Sequence, residues 1–349
     1  MSEPTTRALL AAVLLGATAR AEGLPTAPQN ADAEDEAEPA PTFGGQIHVR
    51  YEKTDPGPTE GELSLARAKV EVQWQPKKRI EGVLAVDVSP AVDAGGTVAP
   101  LDAYLQVEAW KWLRVRAGHR KIPFSGLRLQ SLSNLIPITR GEYGQQLDQV
   151  FGDLGGADLA REVGVDLRLR AKPLRTRVDC GVSQGEKGPK DWAARITIRP
   201  ADALDLGAAV AAIHIDEATG EQRRVVGELD AEIHAGGWHA EAEGAAGDAD
   251  DTEGDDGFAA AYVLLAYRFA LDGEKKTPAL EPFARFDFVD QKMRVKDDEA
   301  FAVTGGVNVY PRNYLRLMLD VERIERRDNY RERPAPDETR LLVQLAFDV

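Results

Sequence analysis

The sequence predicts an all-β fold: a transmembrane antiparallel β-barrel of about 16 strands with a long constriction loop folded inward. Three observations predict it. Alternation of apolar and polar residues recurs in short segments all the way from Phe43 to Val349. The face opposite the apolar one is charged, so it needs water, while the apolar face has no second apolar layer and needs lipid. The connections alternate between tight turns and long charged loops, which is the asymmetry of a barrel with two unlike rims.

The chain of 349 residues opens with a polar segment carrying Arg7, the apolar run Ala8–Ala17 and an A-x-A site at Ala19-Arg20-Ala21. That layout predicts a signal peptide over residues 1–21, removed on export. The run is too short to span a bilayer as a helix. Residues 22–42 are Ala, Glu, Asp and Pro with almost no bulky apolar side chain, which predicts a disordered acidic linker. The barrel is expected over 43–349. A formal net charge of −15, made slightly more negative when Arg7, Arg20 and Glu3 leave with residues 1–21, argues against nucleic acid and anionic lipid surfaces as partners. The single cysteine, Cys180, excludes an intrachain disulfide and packs most simply as a small apolar residue between Val178 and Val182.

Each strand follows from a period of two. Ile47, Val49 and Tyr51 oppose His48, Arg50 and Glu52; Ala66, Ala68, Val70, Val72 and Trp74 oppose Arg67, Lys69, Glu71 and Gln73. Ile80, Leu84 and Val86 oppose Glu81 and Asp87, and Leu101, Ala103, Leu105 and Val107 oppose Asp102, Tyr104, Gln106 and Glu108. Further strands centre on Val115, Val165, Cys180, Ile196, Leu206, Leu229 and Ala240. Phe258 to Phe269 is apolar on both faces and leaves its register open. Strands around Phe286, Val303, Leu317 and Leu345 complete the set. Tight turns are expected at Gln75–Arg79, Trp110–Trp112, Lys172–Leu174, Pro200–Ala203, Ala235–Gly237 and Pro311–Arg312. Longer loops are expected at Thr54–Gly61, Ser89–Pro100, Gln184–Asp191, Asp216–Arg223, Gly247–Gly257, Asp290–Glu299 and Glu325–Glu338. Trp74, Trp110, Trp112, Trp238, Tyr310 and Tyr314 lie beside the short turns, as an interfacial aromatic girdle would.

One connection is different in kind. Pro123 ends the strand begun at Leu113, and alternation resumes only at Glu162. The segment between fits neither a strand nor a periodic helix, yet carries Leu127, Leu129, Leu132, Leu135, Ile136, Leu147 and Phe151, so it must pack on something. It is read as a loop narrowing the barrel mouth, with a surface lid as the alternative.

A barrel of this size leaves an aqueous channel. The expected function is a water-filled pore for passive diffusion of small anionic solutes. Inward parity gives a basic wall of Arg114, Arg116, Arg120, Arg168, Arg170, Arg175, Arg177, Arg195 and Arg199, with Arg128 and Arg140 added by the loop. Guanidinium groups suit oxyanions because they stay charged and offer planar pairs of donors. Glu228, Asp230, Glu232, Glu241 and Glu243 form an acidic wall further round, and opposed walls would set a transverse field across the lumen. The plainer alternative is that these charges pair with one another and keep the lumen wet.

Catalytic chemistry is not expected. There is no G-x-S-x-G elbow, and Ser64, Ser89, Ser125, Ser131, Ser133 and Ser183 have no evident histidine partner. No cofactor is implied. The five histidines lack H-x-x-x-H spacing; His234 and His239 flank a turn with Glu232 and Glu241 nearby, and are read as no metal site. Asp248–Gly257 misses the EF-hand spacing and reads as a solvated loop. The competing classes are an outer-membrane barrel enzyme or scaffold without an open pore, and a secreted soluble β-protein that binds sugar or calcium. Fractionation separates the last, which would need no detergent.

The run Ala117-Gly118-His119-Arg120-Lys121-Ile122-Pro123-Phe124-Ser125 resembles the G-x-x-K-x-P-F-[GS] segment of the phosphate-selective porins O and P. Arg140 resembles the arginine of that family's E-R-S-like element, Arg161-Glu162-Val163-Gly164-Val165 its R-x-x-G-[VI] segment, and Pro311-Arg312-Asn313-Tyr314-Leu315-Arg316-Leu317 its penultimate turn and strand. The resemblance implies a bacterial outer-membrane porin, a constriction loop after the first segment, a homotrimer in outer-membrane lipid, and passage of anions such as phosphate along arginines, with Lys121 among the pore residues. The chain departs from the family in three places. Thr139-Arg140-Gly141 lacks the Glu and Ser, Val349 stands where a terminal Phe is usual (Phe347 keeps the face), and no lysine cluster stands out beside the arginines.

Overall fold

A computed structural model describes residues 40–57, 60–89, 98–151, 161–184, 190–217, 220–248, 256–272, 277–327 and 336–349. The expected signal peptide and all but the last residues of the expected linker lie outside the described residues. The first described strand is β1 (Thr42–Asp55), followed by β2 (Glu62–Lys77), β3 (Ile80–Asp87), β4 (Ala99–Trp110) and β5 (Leu113–Lys121). Two helices come next, α1 (Gly126–Leu129) and α2 (Gly141–Val150). Then follow β6 (Arg161–Ala171), β7 (Thr176–Gln184), β8 (Lys190–Ala201), β9 (Leu204–Glu217), β10 (Gly220–Ala235) and β11 (Trp238–Asp248). The chain continues through β12 (Gly257–Tyr267), β13 (Phe269–Ala270), β14 (Ala279–Asp290), β15 (Glu299–Arg312), β16 (Leu315–Arg326) and β17 (Glu338–Asp348).

All 17 strands belong to one sheet. Every pairing is antiparallel; apart from β12 with β14, strands pair with their neighbours in sequence, and β1 pairs with β17 from Gln46↔Asp348 to Asp55↔Thr339, closing the barrel. β12 and β13 both pair with β14 and are two pieces of one barrel position, interrupted at Arg268. Closure leaves no unpaired edge, the only way a sheet can stand in hydrocarbon.

The faces separate as the alternation requires. Leu84, Leu105, Val107, Val163, Val165, Leu167, Leu229, Val263, Leu265, Val303, Leu317, Leu319 and Leu345 are all exposed on the outside, a surface that water would not tolerate and lipid does. At the short-turn rim, Trp74, Trp110, Trp112, Trp238 and Tyr314 are exposed in the expected girdle; Trp110 stacks on Trp112, and Trp238 meets Tyr267 edge-on. Tyr310 is a correction: it points into the lumen, where its hydroxyl donates to Glu281 Oε2 at 2.5 Å. The last tight turn is also displaced, since Pro311 and Arg312 remain in β15 and the chain turns at Asn313 and Tyr314. The loop expected at Asp216–Arg223 is instead mostly ladder: β9 and β10 pair out to Glu217↔Gly220.

Residues 122–151 of the long connection after β5 fold into the barrel, as expected, and the surface-lid alternative falls. It contains a ten-residue helix, α2, that alternation alone did not disclose. Phe124, Leu127, Leu135, Ile136, Tyr143, Leu147, Val150 and Phe151 are buried against Ala193, Ala211, Ile213, Val226, Ala245 and the inner face of β12. Phe258, Ala260, Tyr262, Leu264 and Ala266 supply that inner face. This settles the register the sequence left open. β12 is apolar on both sides because one side meets lipid and the other meets the loop.

Candidate functional site: an arginine-lined constriction

The loop is fastened by hydrogen bonds as well as by packing. A non-regular segment buried in a barrel must find partners for its backbone, and here the wall supplies them. Arg316 Nη1 donates to the Leu135 carbonyl at 2.7 Å, Asn308 Nδ2 to Ile136 at 2.9 Å and Arg224 Nη1 to Val150 at 3.1 Å. Asp320 Oδ2 accepts from Ile138 N at 2.6 Å. Asp287, buried beside Arg285, accepts from Tyr143 N at 3.2 Å in the first turn of α2, where unpaired amides and the helix dipole favour a carboxylate. Arg285 Nη2 donates to the Arg140 carbonyl at 2.5 Å. Gly141 starts the helix at φ 66°, a conformation that disfavours a side chain, and a Cβ there would press on Asp287 and Arg285.

The anchor with the most partners is Glu243 on β11. It accepts from Ser125 Oγ at 2.5 Å, Leu127 N at 2.8 Å and the Tyr143 hydroxyl at 2.8 Å. Burial and the neighbouring Glu243 carboxylate push the Tyr143 hydroxyl well above the ordinary tyrosine range, so it remains a donor. Ser125 itself adopts φ 62° and its Oγ accepts from Arg128 N at 3.1 Å, capping α1.

Between the loop and the opposite wall lies a cavity of about 560 Å³, bordered by Leu127, Leu129, Gln130 and Ser131 on the loop side. Its charged lining includes Arg116, Lys121, Arg168, Arg177, Arg195 and Arg199 of the residues expected from sequence, and Asp230, Glu232, Glu241 and Glu243 of the expected acids. Lys121 donates to the carbonyls of Arg128 and Gln130 at 2.8 and 2.9 Å, tying the loop's start to its first bend. Arg67, Lys69, Asp102 and Arg161 also line it, although the sequence alone does not mark them as pore residues. Alternation puts Arg67 and Lys69 on the inward face of β2, but nothing in a single strand says which lumen charges stand at the height of the loop.

The remaining expected residues lie elsewhere. Arg120 is fully buried, paired with Asp166 and donating to the Glu162 carbonyl at 3.1 Å. Arg140 lies at the N-terminus of α2, and its Nη2 reaches the Gln130 carbonyl at 3.4 Å. Arg175 is a correction: it occupies the β6–β7 turn at φ 47°, exposed and paired with Asp202, and is not on the lumen wall. Arg114 and Arg170 face the lumen nearer the short-turn rim and are not part of the cavity lining. Arg128, on α1, donates to Leu147 O at 3.1 Å and covers the Phe151 ring at 4.4 Å.

Ion pairs join the two expected walls and occupy part of each. Arg195 on β8 reaches across β9 to Glu228 at 2.8 Å and Asp230 at 2.6 Å. Gly207 on β9 makes room, since any side chain there would collide with that pair. Glu243 is spent on the loop, while Glu241 holds His239 at 2.7 Å and the Tyr262 hydroxyl at 3.0 Å. The basic wall is partly compensated: Arg116 and Arg120 share Asp166, and Arg168 and Arg177 share Asp179. Arg199 meets Asp205 at 2.5 Å, and Arg161 meets Asp102 at 3.2 Å.

A closed barrel, apolar outside and charged within, with an inward loop that leaves a charged gap against the wall, defines a porin-type channel of the bacterial outer membrane. Residues 196–349 match the model of the family described as phosphate-selective porin O and P, the family that residues 117–125 and 311–317 resemble. Among solved structures, the chain is similar to an anion-selective porin from Comamonas acidovorans (11% identity, 89% of this chain and 99% of that one, TM-score 0.68). It is also similar to the trimer form of OmpT, an outer membrane protein of Vibrio cholerae (11% identity, 89% and 99%, TM-score 0.64), and to Salmonella typhi OmpF in complex with daunomycin (12%, 88% and 97%, TM-score 0.68). These likenesses concern the fold. A comparison with curated protein sequences finds no match.

Proposed function

We propose that the chain is a general diffusion porin that favours small anions, with inorganic phosphate among them, and that it works as a homotrimer. The observation that carries the anion preference is the arginine stack on β5, β6 and β7. Arg114 stands opposite Arg168, and Arg170 opposite Arg177. Like charges directly across a ladder are destabilising by a fraction of a kcal/mol, roughly 0.2–1. Two arginines also share each of Asp166 and Asp179, so those carboxylates neutralise only part of the charge. The excess lies on one side of the lumen, where planar guanidinium donors can exchange water for oxyanion oxygens.

The family description and the anion-selective Comamonas porin point the same way. The trimer is supported by the trimeric Vibrio relative and by the broad apolar exterior. The deciding experiment is reversal potential across a planar bilayer in a KCl gradient, followed by addition of phosphate. Anion-favouring reversal with block by millimolar phosphate is expected. Cation-favouring reversal would hand selectivity to Asp230, Glu232 and their neighbours and overturn the proposal. Cross-linking in mild detergent tests the trimer.

A further inference from the structure

The β10–β11 hairpin brings two histidines that the permeation reading does not use beside two acids of the lumen wall. Glu232 pairs across the ladder with Glu241, and His234 with His239, immediately before and after the tight turn at Gly236 and Gly237. All four are on the lumen face, since β10 alternates Glu228, Asp230, Glu232, His234 and β11 alternates His239, Glu241, Glu243. Glu232 Oε1 lies 2.6 Å from His234 Nε2 and 3.5 Å from His239 Nε2, and the imidazole centroids are 4.2 Å apart. One ligand atom from each of Glu232, His234 and His239 falls within 4.8 Å of the others.

We propose that Glu232, His234 and His239, with Glu241 as a fourth donor or as the partner that orients His239, form a divalent transition-metal site for Zn²⁺ or Cu²⁺ at the short-turn rim of the lumen. Three arguments support it. The ladder register alone brings the four Cβ atoms into two directly opposed pairs, so the grouping does not depend on particular rotamers. Two imidazoles with carboxylates suit zinc and copper, whereas calcium and magnesium take oxygen donors. Glu232 and Glu241 are opposed like charges, and a bound dication would turn that repulsion into attraction. The site is reachable, because the His234 side chain is 57% exposed, and it adjoins the cavity, whose lining includes Glu232 and Glu241. A bound ion would add positive charge at one end of the solute path.

The test uses the full chain, folded in detergent and checked by heat-modifiable migration. Zn²⁺ titration by calorimetry should show one site per chain, and Cu²⁺ should give an electron paramagnetic resonance spectrum with nitrogen couplings from two imidazoles. In the variant His234→Ala/His239→Ala, Zn²⁺ binding should weaken by more than the roughly 10- to 100-fold that loss of an outer-shell partner costs. Glu232→Gln should weaken binding with both histidines present. Binding unchanged in the folded double variant, no binding to the folded parent chain, or a preference for Ca²⁺ over Zn²⁺ would each overturn the proposal. Metal binding is read without ion conduction, so its outcome is independent of whether the pore favours anions.

Discussion

Arg114 and Arg168 face each other directly across β5 and β6, two guanidinium groups held at the same height on the lumen wall. Arg114 has Glu108 at 3.4 Å, and Arg168 has an Asp179 that Arg177 also uses. Such a pair costs stability and returns field strength. Arg168→Gln is therefore expected to leave the barrel at least as heat-resistant as before while lowering the anion-to-cation permeability ratio. Gel mobility against temperature and reversal potential measure the two effects on one variant. A fall in stability with selectivity unchanged would mean that Arg168 is mainly a structural partner of Asp179.

Glu243 should matter through the loop. Glu243→Ala removes the acceptor for Ser125, Leu127 and Tyr143 and leaves those donors buried, at about 1–3 kcal/mol for each that finds no replacement. The barrel ladders do not depend on it. Single-channel records should show larger, noisier conductance with the barrel still heat-modifiable. Quiet channels of unchanged size would show that packing alone holds the loop.

Gly141→Ala probes the same loop from its other end. A left-handed backbone costs an alanine roughly 1–2 kcal/mol, and the added carbon meets Asp287 and Arg285. The start of α2 should fray, and limited proteolysis should then cut near Arg140 in the variant but not in the parent chain.

The connection between β14 and β15 should respond to pH. Asp298 is buried, and burial together with Asp290 pushes its carboxyl up to about 6, even though Lys292 N donates to it at 2.8 Å. A raised carboxyl favours the protonated form in the folded loop. Its contribution to stability is complete below the ordinary carboxylate range and is lost as pH rises through about 6. Amide exchange in residues 291–298, corrected for intrinsic rates, should be slower at pH 5 than at pH 7.5. Asp298→Asn should abolish the difference.

Much of the architecture was legible because a lipid-facing barrel writes its two faces into alternate residues. Val163, Val165, Leu167 and Leu169 against Glu162, Asp166, Arg168 and Arg170 need no further context. The loop was legible from Pro123 and from the apolar residues that follow it. Partnership was not. Arg195 meets Glu228 and Asp230 only because Gly207 lies between them on another strand, and Glu243 serves the loop only because the loop folds back on β11. These are contacts over an intervening strand or with the inward loop, and no local periodicity records them. Arg175 departs from its expected place for a simpler reason: alternation extends back through a residue that still belongs to the turn, where the backbone is left-handed.

The doubled apolar character of β12 bears on how the chain reaches the membrane. Gly257–Tyr267 has no charged residue and no proline. In the finished barrel one side is solvated by lipid and the other is covered by the segment from Phe124 to Phe151. Neither cover exists while the chain is unfolded in transit. For that interval it is a bare, sticky ribbon with the composition that seeds fibrils. Periplasmic holdases should therefore grip this stretch before any other, and a charge placed at Leu264 should ease their burden while spoiling the finished pore.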